Sequence, residues 1–129
     1  MTRLLLFVVI CVFFASCRES LEERAARETK ARTETYCPLK KDEFTTLDSM
    51  TFDKVSHTFN YYYTLSSTAD RQFSDQEKAT YRQGLLKELI DNTKETIYKE
   101  AEYSYHYIYR SHSRKDTILY EVILTSEDY

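Results

Sequence analysis

The side chains that could do chemistry are few and scattered. Three histidines, His57, His106 and His112, have no spacing that fits a metal site, and they stand far from any cysteine in the sequence. A nucleophile needs a base within hydrogen-bond reach, and Cys37 with a distant histidine does not establish one. The single glycine, Gly84, falls inside a helical pattern, so no glycine loop is available to cradle phosphate. Nothing calls for a catalytic residue, a metal or a cofactor. The chemistry left is recognition, through twelve tyrosines and a few charged groups that strand periodicity would bring to one surface.

Those elements can be read from the pattern. "HTFNYYYTL" alternates with period two, placing Phe59, Tyr61, Tyr63 and Leu65 on one face and Thr58, Asn60, Tyr62 and Thr64 on the other. With "LDSMTFD" before it, across a short polar link at Lys54 to Ser56, it predicts a β-hairpin. Ser74 followed by Glu77 is a capping box, so a helix should start at Asp75. Tyr81, Leu85, Leu86, Leu89 and Ile90 give that helix an apolar stripe. The capping pattern repeats at Asn92 and Glu95, and the reading favours a break there. "YSYHYIYR" and "TILYEVILT" predict a second hairpin, with Tyr103, Tyr105, Tyr107 and Tyr109 on one face and Ile118, Tyr120, Val122 and Leu124 on one face of the last strand.

The expected fold is therefore α+β: a two-layer sandwich of ββαββ order, with a four-stranded antiparallel sheet and one long or broken helix on one face. If the helix covers the tyrosine face, then Tyr62, His106, Ile108, Arg110, Leu119, Glu121 and Ile123 look outward. Within that set, Tyr62, His106, Arg110 and Glu121 are the candidate binding residues. Packing explains the odd-numbered tyrosines better than a ligand does, because tyrosine suits a half-buried pleated surface.

The N-terminus carries an address. Arg3, the apolar run Leu4 to Phe14 and the small residues Ala15 and Ser16 have the layout of a secretory signal, too short to span a bilayer. "FASC", ending at Cys17, resembles the lipobox of bacterial lipoproteins, with Phe14 where that family usually has an aliphatic residue. The resemblance implies cleavage between Ser16 and Cys17 and two or three acyl chains, palmitate among them, on the Cys17 thiol. That anchors the chain stably to a membrane of the cell envelope. Arg18 in place of Asp points toward the outer membrane by the same resemblance.

Residues 1–16 are thus read as signal peptide, 17–36 as a lipid-anchored, charged, partly helical tether, and 37–129 as one small domain. The tether lacks an apolar seam, and Glu23 with Arg27 and Glu28 with Arg32 have the favourable i, i+4 spacing. Cleavage leaves 113 of 129 residues, with 17 Lys and Arg against 21 Asp and Glu once Arg3 is gone. Such a net negative chain has no electrostatic case for nucleic acid. Cys11 leaves with the signal and Cys17 carries lipid, so Cys37 is the one remaining thiol, read as a packed residue with pairing to another chain as the alternative.

From Cys37 onward the pattern also resembles small bacterial envelope proteins of unassigned function. It consists of Pro38, the pair Leu47 and Asp48, the Tyr61 and Tyr63 strand, an amphipathic helix, and the strand of Tyr105, Tyr107 and Tyr109. Those proteins often have Gly where this chain has Glu102. The leading functional expectation is a non-enzymatic, lipid-anchored module that contacts another envelope protein. The alternatives are a lipoprotein binding a glycan or peptide on its open sheet face, or a small inhibitor of an envelope hydrolase.

Overall fold

The computed structural model describes residues 18–129. The segment 1–16 expected to be a signal peptide, the expected cleavage point between Ser16 and Cys17, and Cys17 itself lie outside the described residues. The chain forms α1 (Leu21–Tyr36), β1 (Leu39–Lys40), β2 (Thr45–Asp53), β3 (Thr58–Leu65), α2 (Asp75–Asp91), α3 (Thr96–Glu100), β4 (Ser104–Ser111) and β5 (Ile118–Leu124). The strands make one sheet in the order β1-β2-β3-β4-β5.

The α+β class is as expected, but the sheet is neither four-stranded nor all antiparallel. Leu39 and Lys40 add a short edge strand opposite Leu47 and Thr46, and the central pair β3 and β4 is parallel. The reason lies in the connection. After β3 the chain passes through α2 and α3 before re-entering as β4, and a connection of that length, unlike a tight hairpin, permits a return in the same direction. The two hairpins, β2 with β3 and β4 with β5, remain antiparallel.

The first hairpin turns without the Asn-Gly signal because Asp53 supplies an Asx turn. Its Oδ1 accepts from the Val55 and Ser56 amides at 2.8 and 3.2 Å, and His57 takes φ 50°. At α2 the expected capping box is complete: Ser74 Oγ accepts from the Glu77 amide at 3.2 Å, and Glu77 accepts from the Ser74 amide at 3.0 Å. The helix breaks at Asn92, whose side chain caps a 3-10 turn, Thr93–Glu95, leading into α3.

The described helices lie over the odd-numbered face of β3 and β4. Phe59, Tyr63, Leu65, Tyr105, Tyr107 and Tyr109 are buried there with Leu47, Leu85, Leu89 and Leu124. The in-register parallel pair sets like residues side by side. Phe59 stacks on Tyr105 at 5.2 Å, Tyr61 on Tyr107 at 5.0 Å and Tyr63 on Tyr109 at 4.6 Å. Each such pair contributes about 0.5–1.5 kcal/mol beyond the area it buries.

The segment that follows Cys17 is helical, as its composition predicts, but it is not a solvated tether. It packs along β2, with Ala25 fully buried and Thr29 nearly so. Small residues on one face let the helix approach closely, a device that a search for large apolar groups overlooks. Its i, i+4 pairs are Arg24 with Glu28 and Lys30 with Glu34, not the expected Glu23 with Arg27 and Glu28 with Arg32. Arg27 holds Glu19 through two 2.8 Å bonds, and Arg32 reaches the buried Glu95 at 3.1 Å. Glu28 accepts from the Tyr98 hydroxyl at 2.7 Å, and Thr33 Oγ1 both donates to the Met50 carbonyl and accepts from its amide, at 2.9 and 3.0 Å. α1 ends at Tyr36, before Cys37 and Pro38, as the restriction that proline places on its predecessor requires.

Candidate functional site

Two surfaces could recognise something. The first is the uncovered face of the sheet, where the structure brings the expected residues together. Alternation puts Tyr62 on β3, His106 and Arg110 on β4 and Glu121 on β5 side by side, in the register Asn60 to His106 to Ile123 and Tyr62 to Ile108 to Glu121. His106 Nε2 lies 3.0 Å from the Glu121 carboxylate, and its Nδ1 lies 3.2 Å from Asn60 Oδ1. Arg110 stands over the Tyr62 ring at 5.1 Å, a cation–π contact. Thr64 donates to Asp48 at 2.5 Å across the bulge in β2.

Three of the expected placements need correction. Leu119 is buried and belongs to the core, and Ile118 is 45% exposed instead of sharing a buried face with Tyr120. A register shift between Tyr109 and Arg110 pairs Arg110 with Ile118, and a bulge of this kind re-aims the residues beside it. Ile108 is also buried, under its neighbours on the outer face.

This face is largely self-satisfied. His106 has a carboxylate on one side and an amide on the other, and a nucleophilic triad would need a hydroxyl or thiol in that place. Cys37 packs against the core instead, and burial pushes its thiol pKa up, away from nucleophilic thiolate.

The second surface was missed by the sequence reading. Between α2 and the β1 to β2 edge runs a groove of about 330 Å³ lined by Tyr63, Tyr81, Gly84, Leu85, Glu88 and Tyr109. Its floor is the last stacked pair, Tyr63 and Tyr109, with rings 8° from parallel and Tyr81 edge-on to Tyr109 at 5.7 Å. Both floor tyrosines are more than nine-tenths buried. Their hydroxyls are held neutral, the pKa pushed up first by burial and then by nearby groups that include Glu88. No hydrogen bond from a described residue reaches either hydroxyl, yet no sealed polar side-chain atom lacks a partner among the described residues. Both hydroxyls therefore face the groove.

Gly84 sits on the α2 wall of this groove, and a Cβ built there meets nothing within 4 Å. A mid-helix glycine costs roughly 0.5–1 kcal/mol relative to alanine, so the opening is kept at the expense of helix stability. The signal available in the sequence was this one glycine inside an otherwise strong helical pattern.

Among the described residues no group of three or more His, Cys, Asp or Glu could hold a metal ion, and no helix is long and apolar enough to cross a membrane. No curated protein matches the chain in sequence. Its fold is similar to that of a Pseudomonas aeruginosa protein described as a candidate secreted protein (8% identity, TM-score 0.64, 86% of this chain and 98% of that one). It is similar also to EpsS, the pilotin of the Vibrio vulnificus type 2 secretion system (9%, 0.65, 84% and 90%). AspS, the type II secretion system pilotin of Vibrio cholerae, is a third (15%, 0.61, 84% and 92%). At these identities the likeness is one of fold. The match of residues 20–120 starts inside the segment expected to be tether, in agreement with the docked α1, and by that match the chain belongs to the family described as a domain of unknown function, DUF8479.

Proposed function

We propose that the chain is a bacterial envelope lipoprotein, cut between Ser16 and Cys17 and held on the outer membrane by acyl chains on Cys17. Its domain works by receiving a segment of another envelope protein in the tyrosine-floored groove, and not by catalysis. The observation that carries the reading is the groove itself, with two buried tyrosine hydroxyls turned into it and the chain's single glycine keeping its wall open. Two of the similar folds are pilotins of type II secretion systems, and attendance on another envelope protein is the role this reading gives the chain.

Two measurements test it. The intact mass of the mature chain, beside Cys17→Ser, shows whether cleavage and acylation occur; an unmodified thiol at Cys17 removes the anchor. Crosslinking in membranes then compares the parent with Gly84→Phe, which fills the groove from a position with free space. The expected result is a specific partner lost in the variant at unchanged or higher melting temperature. A partner still captured by Gly84→Phe moves the site elsewhere.

The second reading is a glycan or peptide ligand on the open sheet face, favoured by the placement of Tyr62, His106, Arg110 and Glu121 on one surface. Tyr62→Ala with Arg110→Ala should abolish that binding and shift the melting temperature little. Unchanged binding ends it.

A further inference from the structure

We propose that the turn joining β2 to β3, with Val55 at its tip, is the foot on which the domain rests on the lipid surface. The inference depends on the reading of Cys17 as the acylated residue. Only Arg18, Glu19 and Ser20 separate Cys17 from Leu21, the first residue of α1, and those four steps span at most about 14 Å. Part of that slack is already taken up, because Glu19 is folded back onto Arg27 by two bonds. Nor can α1 act as a spacer, since the buried Ala25 and Thr29 and the Thr33 bonds to Met50 dock it along β2, and Glu28 and Arg32 tie it to Tyr98 and Glu95. Whatever holds Cys17 therefore holds the sheet.

The end of the sheet that it holds is the β2 to β3 turn. Glu22 at the start of α1 lies 3.2 Å from His57 Nε2, and the His57 ring stacks on Tyr103 at 4.8 Å. In that turn Val55 is 94% exposed, and the Asp53 carboxylate braces the loop through the Val55 and Ser56 amides. A lone exposed valine would be unremarked elsewhere on a surface. Here it projects from the end that a lipid must approach, beside Lys54, whose stem can lie on apolar surface with its ammonium at the headgroups. Glu19, Glu22, Glu23 and Asp53 at the same end would repel anionic headgroups, so the surface that suits this foot is neutral lipid. The groove lies toward the opposite ends of β2 and β3, and the eight residues of β3 span about 25 Å, so the groove is carried away from the membrane.

The chain contains no tryptophan, so a single introduced one reports its own surroundings. The test uses full-length mature chain, acylated at Cys17, on phosphatidylcholine vesicles with and without brominated chains. Val55→Trp is compared with Lys115→Trp in the exposed loop at the far end. The expected result is blue-shifted emission and loss of intensity to brominated lipid for Val55→Trp, with water-like, unquenched emission for Lys115→Trp. Water-like emission from Val55→Trp on protein that floats with the vesicles overturns the foot while leaving the anchor standing. Quenching of Lys115→Trp instead inverts the orientation and also overturns it. If the mature chain proves unacylated, its mass refutes the anchor separately. Cys17 is then coupled to a maleimide lipid in a Cys37→Ser background, and the same emission decides the geometry.

Discussion

Replacing Arg32 with methionine would measure how firmly α1 belongs to the domain. The Glu95 side chain is 4% exposed and is held between the Arg32 guanidinium and the Tyr105 hydroxyl, both at 3.1 Å. Arg32→Met keeps an apolar stem against the sheet and leaves that carboxylate buried with one hydroxyl donor. Stranding one member of a buried pair costs about 3–5 kcal/mol. The Arg32 side chain is 36% exposed, so solvent screens the pair and the expectation drops to roughly 2–3 kcal/mol. The reverse change, Glu95→Gln, still offers an acceptor to Tyr105, and the guanidinium it frees can turn to water, so its cost should be near 1 kcal/mol.

The asymmetry is the informative quantity. Urea unfolding of the mature chain, followed by far-ultraviolet circular dichroism, should rank Arg32→Met well below Glu95→Gln. The double variant should recover part of the sum, because neither partner is then left charged and alone. At about 4 °C per kcal/mol for a domain of this size, Arg32→Met should melt roughly 8–12 °C below the parent. A loss under about 0.5 kcal/mol would refute the reasoning, since that is the range of substitutions away from structural features. α1 would then be the solvated spacer that its composition suggests, and the argument for a membrane-facing foot would fall with it.

Other outcomes follow from single sites. Gly84→Ala should raise stability by about 0.5–1 kcal/mol in the same unfolding assay, because the added methyl meets nothing; a loss would mean that the groove wall is closed. Glu102 sits at φ 61° just past α3, where its amide donates to the Lys99 carbonyl at 3.0 Å, so Glu102→Gly should stabilise by about 1 kcal/mol; destabilisation would refute the left-handed cap. Tyr61, Tyr63, Tyr105, Tyr107 and Tyr109 have pKa values raised mainly by burial, so the stability they contribute is whole below the unfolded value near 10 and falls as pH rises above it. Tyrosinate absorbance should show these five titrating only with unfolding, and normal titration of all twelve in folded protein would contradict the burial. Asp70 is pulled down to about 2 by the Ser111 hydroxyl first, then by the Ser113 hydroxyl and amide; its contribution is present above the unfolded value near 3.9 and is lost as pH falls toward 2. A carboxyl resonance of Asp70 titrating near 4 would break that cluster.

What could be read from the chain was local. The capping box at Ser74, the break at Asn92 and the alternation of β3 and β4 are statements about neighbouring residues, and each stands in the structure. Strand direction was not local, because the β3 to β4 connection contains a helix, and the pattern of "YYY" and "YSYHYIY" is the same for either direction. Burial of α1 was hidden for a related reason. Ala25 and Thr29 look unremarkable in a charged helix, and their worth comes from a partner surface twenty residues away in sequence. Tyr62, His106, Arg110 and Glu121 were legible as a set because one sheet face needs only alternation, whereas the bulge that re-aims Leu119 does not show in the residue pattern.

The tyrosines join these points. Packing accounts for most of them, but the parallel, in-register pairing turns two Tyr-x-Tyr strands into three aromatic rungs running the length of the sheet. At the end near α1's start the rungs are roofed by Tyr98 and Tyr103, and Tyr105 donates to Glu95, so those rings are plain core. Toward the other end the roof is α2, and there the wall residue is Gly84, with no side chain to close over Tyr63 and Tyr109. The same ladder thus ends, toward α2, in the groove onto which its last two hydroxyls open. The same feature explains why a residue-by-residue weighing of tyrosine as core or as binding surface could not separate the two. The rungs are chemically alike, and what differs is the helix residue above each one.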